Sequence, residues 1–323
     1  MSEPLPVVPP RLRPSPGRLR FSLEPVLDAV LHLEARIPED AFTAEILGTE
    51  RRGSGVLVHE SGLVLTIGYL VCEAEEIWLR GRDGEIVPAH LRAYDFDTGF
   101  GLVQALSPLP AAPVELGRSA EIRVGSELIV AAAGGLVSAV QARLVARREF
   151  AGYWEYLLDE ALFTAPAHPW WGGAACFDSE GMLVGIGSLL VQGGSERQPE
   201  RTNMIVPIEL LDPILDDLIQ RGRVRRRPRP WLGVYLQESE EGLVVFGLAE
   251  GGPAARAGIE PGDRIFEIAD VPVCELADFY RLLWSLGPAG IMVPLHILRD
   301  GRRRWVRIRS ADRNRFLKRP SLH

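Results

Sequence analysis

From Leu31 to Ile37 apolar and polar residues alternate, with Leu31, Leu33, Ala35 and Ile37 set against His32, Glu34 and Arg36. That two-residue period predicts a strand with one buried face. Short apolar segments recur at 53–58 (GSGVLV), 62–67 (GLVLTI), 76–81, 85–94 and 101–106, and again at 126–134, 137–148, 153–165 and 181–191. Gly, Asp-Gly and Glu-Ser-Gly turn signals separate the segments of the first series. Strands this short and this evenly punctuated predict a barrel or sandwich rather than a doubly wound α/β sheet. The spacing changes at Pro207–Ile219, where Leu210, Leu211, Ile214, Leu215 and Leu218 fall at helical intervals. A further mixed α/β unit of about 80 residues follows from position 230, with a helix expected over Glu275–Leu286.

Composition narrows this picture. The chain has 323 residues, 46% of them hydrophobic and 24% charged, with 33 glycines and 25 prolines. These proportions describe a folded globular protein rich in turns. The net charge of −7 argues against a general nucleic-acid binder. Of the 36 basic residues only Lys318 is a lysine, a bias read as that of a GC-rich genome. Residues 221–229 are dense in arginine and read as a linker, because like charges resist packing. Three cysteines, Cys72, Cys176 and Cys274, do not make a disulfide framework. Prolines interrupt residues 1–22, which read as a solvated tail without a secretory signal, and no stretch is long and apolar enough to span a bilayer. A cytoplasmic protein is the expectation from these features.

Two stretches carry a family resemblance. Trp231-Leu232-Gly233-Val234 followed by GGPAARAGIEPGDRIFEI at 251–268 resembles the PDZ domain of HtrA (DegP/DegS-like) proteases. GSGVLVHESGLVLTIGYLV at 53–71, AYDFDTGFGLVQA at 93–105 and PAHPWWGGAACFDSEGMLVGI at 166–186 are similar to motifs of the same family's trypsin-like double β-barrel. The resemblance implies a mostly β chain: a tail at 1–22, a trypsin-like double barrel at 23–220, the linker at 221–229, a PDZ domain at 230–311 and a tail at 312–323. It also implies that Trp231, Leu232, Gly233 and Val234 form a carboxylate-binding loop, with Phe279, Leu282 and Leu283 as pocket candidates facing it. Such domains hold a partner's C-terminal carboxylate on backbone N–H groups and add its strand to a sheet edge.

At the family's catalytic positions the residue types differ. Where the pattern has histidine this chain has Tyr69, the aspartate falls on Gly99, and the serine falls on Gly172. A phenol is a poor base near neutral pH and glycine carries no reactive group. The expectation is therefore a pseudoprotease, not an enzyme, that binds proteins as an adaptor, scaffold or regulatory subunit. Its partners would be protein C-termini, a further copy of itself or an active relative, with no nucleic acid, cofactor or metal. His168, Trp170 and Trp171 are placed in the former substrate cleft, which the two indoles are expected to reshape. Two other classes stay open: a residual or repurposed hydrolase, and a ligand or metal carrier using the degenerate cleft, where Cys72, His168 and Cys176 are metal-ligand candidates without the clustered spacing of zinc motifs.

Overall fold

The computed structural model describes residues 7–195, 198–240 and 242–318. The outermost residues of both expected tails lie outside the described residues. Two compact units emerge. One takes in the chain up to Arg148, Glu160–Val224 and Lys318; the other takes in Glu149–Asp159 and Arg225–Leu317.

The first unit holds two closed six-stranded antiparallel barrels, so the expected mostly β, double-barrel fold is what forms. Strands β1 (Val30–Arg36), β2 (Glu50–His59), β3 (Leu63–Ile67), β4 (Glu76–Arg80), β5 (Ile86–Tyr94) and β6 (Phe100–Ala105) close in the order β1-β2-β3-β6-β5-β4. The second barrel uses β7 (Glu127–Ala131), β8 (Ala139–Gly152), β9 (Tyr156–Ala165), β10 (Ala175–Phe177), β11 (Leu183–Ser195) and β12 (Gln198–Pro207), in the order β10-β11-β12-β9-β8-β7. Inward positions of the alternating pattern make the cores: Leu31, Leu33, Val56, Leu65, Leu79 and Leu102 in the first barrel are fully buried. Leu128, Val130, Val140, Leu162, Val184 and Ile205 fill the second. Closure removes the sheet edges that strands this short would otherwise leave open.

Two details depart from the expectations. The helix expected over Pro207–Ile219 is broken into a 3₁₀ turn at Ile208–Leu210 and a helix at Leu215–Arg221. Pro213 explains the break, since it lacks an N–H and disfavours helical angles at the residue before it. The proline-rich start is not wholly solvated either: Val8 is completely buried in the second barrel, and its N–H donates to the Val137 carbonyl at 2.7 Å.

In the second unit β13 (Val234–Ser239), β14 (Gly242–Leu248), β15 (Arg264–Ile268), β17 (Met292–Arg299) and β18 (Arg302–Arg309) form one sheet in that order, with the short β16 (Val271–Pro272) beside β15. The helix Leu276–Ser285 packs Leu276, Ala277, Phe279, Tyr280 and Leu283 into its core. β13 ends the sheet, so one of its edges has no strand of that sheet beside it.

A buried carboxylate ties the loops of the first barrel together. Glu73 is 2% exposed and accepts hydrogen bonds from Phe42 N (3.0 Å), Thr43 N (2.7 Å), Thr43 Oγ1 (2.5 Å) and Lys318 N (2.7 Å). Arg51, equally buried, donates to the carbonyls of Tyr69 (2.8 Å) and Cys72 (3.1 Å) and to Thr43 Oγ1 (2.7 Å). The pair thus fixes the helical turn Gly68–Val71 that carries Tyr69. Glu73→Ala strands several buried donors and leaves Arg51 poorly compensated. It is expected to lower unfolding stability by about 3 kcal/mol, read as a shift in urea midpoint at unchanged slope. A shift equivalent to less than about 0.5 kcal/mol, the size of an ordinary surface substitution, would show that Glu73 does not anchor these loops.

Candidate functional site

The two barrels of the first unit meet backbone to backbone. Ser54 N donates to Gly172 O at 2.9 Å, and Ala133 N donates to Ser54 Oγ at 3.1 Å. A Cβ on Gly53 would lie 2.6 Å from the Gly172 carbonyl, and one on Gly173 would strike the Ser54 carbonyl. Gly173 also has φ of +73°, so only glycine fits there. The seam explains why glycine occupies positions 53 and 173.

This seam brings together the three positions singled out in the sequence. Tyr69, half-buried, donates its hydroxyl to the Ser188 carbonyl at 2.8 Å. Burial drives its phenol pKa well above the ordinary range, offset in part by a hydrogen bond from Trp171. A Cβ built on Gly172 would sit 2.9 Å from the Tyr69 hydroxyl. The Tyr69 ring therefore claims the space where a side chain at 172 would begin. Gly99 lies one hydrogen bond away, its carbonyl accepting from Gly68 N at 2.7 Å, and its φ of +84° is a conformation that strains an aspartate. The nearby Asp95 is spent on its own loop, accepting from Thr98 N (3.0 Å) and Thr98 Oγ1 (2.9 Å).

His168 is completely buried and does not face a substrate. Its Nε2 donates to the Ser138 carbonyl at 2.9 Å, which sets the tautomer, and its Nδ1 accepts from Trp170 N at 3.0 Å. Asn203 clamps its main chain, with Oδ1 accepting from His168 N at 2.6 Å. Burial lowers the imidazole pKa, in keeping with an Nδ1 that accepts a hydrogen bond. In this conformation the Trp170 N–H points at His168 and is not free to meet a reacting carbonyl. Trp170 and Trp171 are half-buried. Cys176 is buried in the second barrel, its thiol pKa pushed up to about 12 chiefly by burial, which suits a small core hydrophobe and not a nucleophile. Among the described residues, only Glu267, Asp270 and His296 bring three potential metal ligands within 4.8 Å of one another. Cys72, His168 and Cys176 form no such group.

The second unit assembles the other candidate site. The N–H groups of Leu232 (3.1 Å), Gly233 (2.7 Å) and Val234 (3.3 Å) all donate to Oε1 of Glu155, and Leu232 N also reaches Oε2 at 3.1 Å. Leu236 N, on the free edge of β13, donates to Tyr153 O at 3.3 Å. From the helix, Tyr280 donates its hydroxyl to Gly152 O at 2.8 Å and accepts from Glu155 N at 3.3 Å. Phe279 and Leu283 are fully buried, while Leu282 packs against that core only in part. Trp231 is buried against Phe316, with ring centroids 4.9 Å apart. Sequence reasoning had the loop but missed Glu155, a lone acid between Trp154 and Tyr156 in a segment read as strand. Its left-handed backbone, φ +59°, betrays a tight turn that no periodicity reveals.

Comparison with known proteins agrees with this architecture. A trypsin-like peptidase domain family matches residues 53–186 and a PDZ domain family matches residues 230–309. A probable periplasmic serine endoprotease, DegP-like, of Pseudomonas fulva is 27% identical over 79% of this chain and 55% of its own length. The serine endoprotease DegS of Haemophilus influenzae is 27% identical over 77% of this chain and 74% of its own. The chain thus spans about half the length of the DegP-like relatives it matches. The HtrA-type protease AlgW with decapeptide superposes with a TM-score of 0.52 at 23% identity, covering 93% of this chain and 98% of that one. The serine endoprotease from Yersinia pestis gives a TM-score of 0.53 at 23% identity, covering 90% and 96%.

These relatives correct two expectations. The inference that the chain is not an enzyme is overturned, because the proteins it matches are named serine endoproteases and point toward proteolysis. The cytoplasmic assignment is overturned as well, because the DegP-like relatives are named periplasmic. Among the described residues no helix is long and apolar enough to cross a membrane.

Gly172→Ser is expected to cost about 1–3 kcal/mol through overpacking against the Tyr69 hydroxyl. Combined with Tyr69→Phe, which removes that hydroxyl, it should show a favourable coupling of about 1 kcal/mol in a double-mutant cycle of chemical unfolding. Strict additivity would mean that the two positions do not press on one another.

Burial pushes the Glu155 carboxyl up to about 7, against the pull of the Leu232, Gly233 and Val234 N–H groups and of Arg313. A raised carboxyl binds its proton more tightly folded than unfolded, so its stabilisation is full below the ordinary glutamate range and is lost as pH rises through about 7. Relative to Glu155→Gln, the wild-type chain should lose on the order of 3 kcal/mol between pH 4.5 and 7.5. Parallel stability profiles for the two proteins would contradict this.

Proposed function

We propose that this chain, a trypsin-like peptidase domain joined to a PDZ domain in the arrangement of HtrA proteins, captures extended polypeptides through the groove between β13 and the helix Leu276–Ser285. In this reading it serves as a protein-binding adaptor or regulatory subunit. The observation that carries it is the convergence of the Leu232, Gly233 and Val234 N–H groups on one carboxylate. A polypeptide C-terminus presents the same two oxygens, and the free edge of β13 supplies main-chain bonds to the residues before it. Trp231 backs the loop, Leu282 offers apolar surface at the rim, and Phe279 and Leu283 form the rigid floor beneath. The AlgW structure named as holding a decapeptide fits a peptide-binding role for this fold.

A second reading, hydrolysis in the trypsin-like domain, is favoured by the endoprotease names of the relatives. We place Tyr69, Gly99 and Gly172 at the family's histidine, aspartate and serine positions. A phenol with a raised pKa and two glycines supply neither a base near neutral pH nor a nucleophile. Hydrolysis would therefore run through other groups. A casein digest that persists in the Tyr69→Phe protein would support turnover independent of that position.

The peptide reading is tested by fluorescence polarisation with a labelled decapeptide of glycine and serine ending in Tyr-Ala-Leu. The peptide is made with a free C-terminal carboxylate and, separately, with a C-terminal amide. Because Glu155 fills the loop, both the wild-type protein and Glu155→Ala are titrated. At least a tenfold preference for the carboxylate peptide in one of them supports capture. Equal affinity for the two peptides, or binding of neither by either protein, overturns it.

A further inference from the structure

The segment Glu149–Asp159 occupies the groove as a ligand would. Glu155 places its carboxylate on all three loop N–H groups, and Tyr153 pairs with the β13 edge through its carbonyl. The Tyr153 ring meets Tyr235 and Phe246 edge-on at centroid distances of 6.0 and 5.3 Å. Leu157 joins the core cluster that contains Leu232, Val234, Phe279 and Leu283. Further bonds fasten the segment at both ends: Arg281 of the helix pairs with Glu149 and Asp159, and Arg313 donates to Trp154 O at 3.2 Å.

We propose that Glu149–Asp159 is a built-in ligand of the PDZ groove, with the Glu155 side chain standing in for a C-terminal carboxylate, and that external peptides bind by displacing it. The inference rests on the peptide-capture reading above and adds how that site is regulated and what it selects. The combination of contacts is what marks a ligand mimic. The carboxylate is seated on three consecutive N–H groups of the loop, a main-chain bond at Leu236 continues the contact along β13, and Leu157 enters the core beside the helix. An ordinary surface salt bridge needs none of these.

The internal ligand also describes its competitor. Its aromatic side chain sits two residues before the carboxylate-bearing position and lies between Tyr235 and Phe246, and an aliphatic side chain fills the apolar floor. A displacing peptide would carry an aromatic residue two positions before an aliphatic C-terminus with a free carboxylate. Protonation bears on the exchange through the groups that face Glu155, namely Tyr280 on the helix and Arg313 beyond β18, with Glu238 of β13 acting on Tyr280.

The test compares dissociation constants of the Tyr-Ala-Leu decapeptide for the full wild-type chain and for Glu155→Ala. Displacement predicts binding at least tenfold tighter in Glu155→Ala, with the amide peptide weak in both. Equal, carboxylate-dependent affinity in the two proteins would overturn the built-in ligand while leaving peptide capture standing. Loss of carboxylate preference in both would sink the capture reading itself. A measurement on the wild-type chain alone removes dependence on how the variant folds. Amide hydrogen exchange at Leu232, Gly233 and Val234 should be protected at least a hundredfold without added peptide, and exchange at the unprotected rate would show that the segment does not occupy the loop.

Discussion

The seam between the two barrels of the first unit turns on a contact in which no side chain takes part. Ser54 N donates to the Gly172 carbonyl, and Gly53 and Gly173 stand where a single Cβ would force the strands apart. Main-chain bonds hold Gly99 and Gly172, through Gly68 N and Ser54 N, while the buried Arg51 side chain fixes the turn that carries Tyr69. What the seam can hold then turns on which side chain fills the remaining space. Here it is the Tyr69 ring, tied to Ser188 and lying where a residue at 172 would project. Large at 69 and small at 172 is a matched choice of volume, in a space that does not hold both side chains without movement.

Two buried glutamates play parallel parts in the two units. Glu73 and Glu155 are 2% and 8% exposed, both have left-handed backbones, and both spend their oxygens on main-chain N–H groups from a distant part of the sequence. A buried carboxylate is costly unless its lone pairs are filled, and backbone donors fill them without the entropy of ordering another side chain. Both loops are thereby pinned by charge-assisted hydrogen bonds. The environments differ in one respect. Glu73 shares Thr43 with the buried Arg51, whereas Glu155 has the more distant Arg313 and the Tyr280 hydroxyl. At Glu155 burial outweighs the pull of the loop N–H groups and of Arg313, which makes that site responsive to protonation near neutrality.

Much of this architecture was legible in the sequence because strand periodicity and glycine placement are local signals. The alternation at Leu31–Ile37 becomes β1, and the GSG stretch at Gly53-Ser54-Gly55 becomes the seam strand. The short β10 around Cys176 and the anchoring of Val8 carried no periodic signal, since one holds three residues and the other is a single inserted side chain. Pro213 was visible, yet the leucine spacing around it outweighed the break it imposes. Tyr69, Gly99 and Gly172 were singled out by motif, but the partnership of Tyr69 with Ser188 spans 119 residues and is written nowhere in local pattern. Glu155 was invisible for the same reason. Its partners lie about 77 residues away, and a single acid among aromatics looks like a solvated strand position.

An occupied groove changes what counts as a ligand. A segment tethered at both ends sees its site at an effective concentration on the order of millimolar or above. An external peptide that offers only a carboxylate therefore competes poorly, because the internal carboxylate is already matched to the same N–H groups. Displacement needs interactions that the internal segment makes weakly. The main-chain contact is one: Leu236 N meets Tyr153 O at 3.3 Å, longer than the usual value of about 2.9 Å, so a peptide paired in register along β13 bonds there more tightly. The apparent affinity for such a peptide is its intrinsic affinity reduced by the fraction of molecules whose groove is open. If the groove is open in about a tenth of molecules, the reduction is about tenfold. On the displacement proposal, the Glu155 carboxylate is a threshold as well as a plug, excluding short or poorly paired C-termini and admitting extended chains that replace both the carboxylate and the main-chain contact.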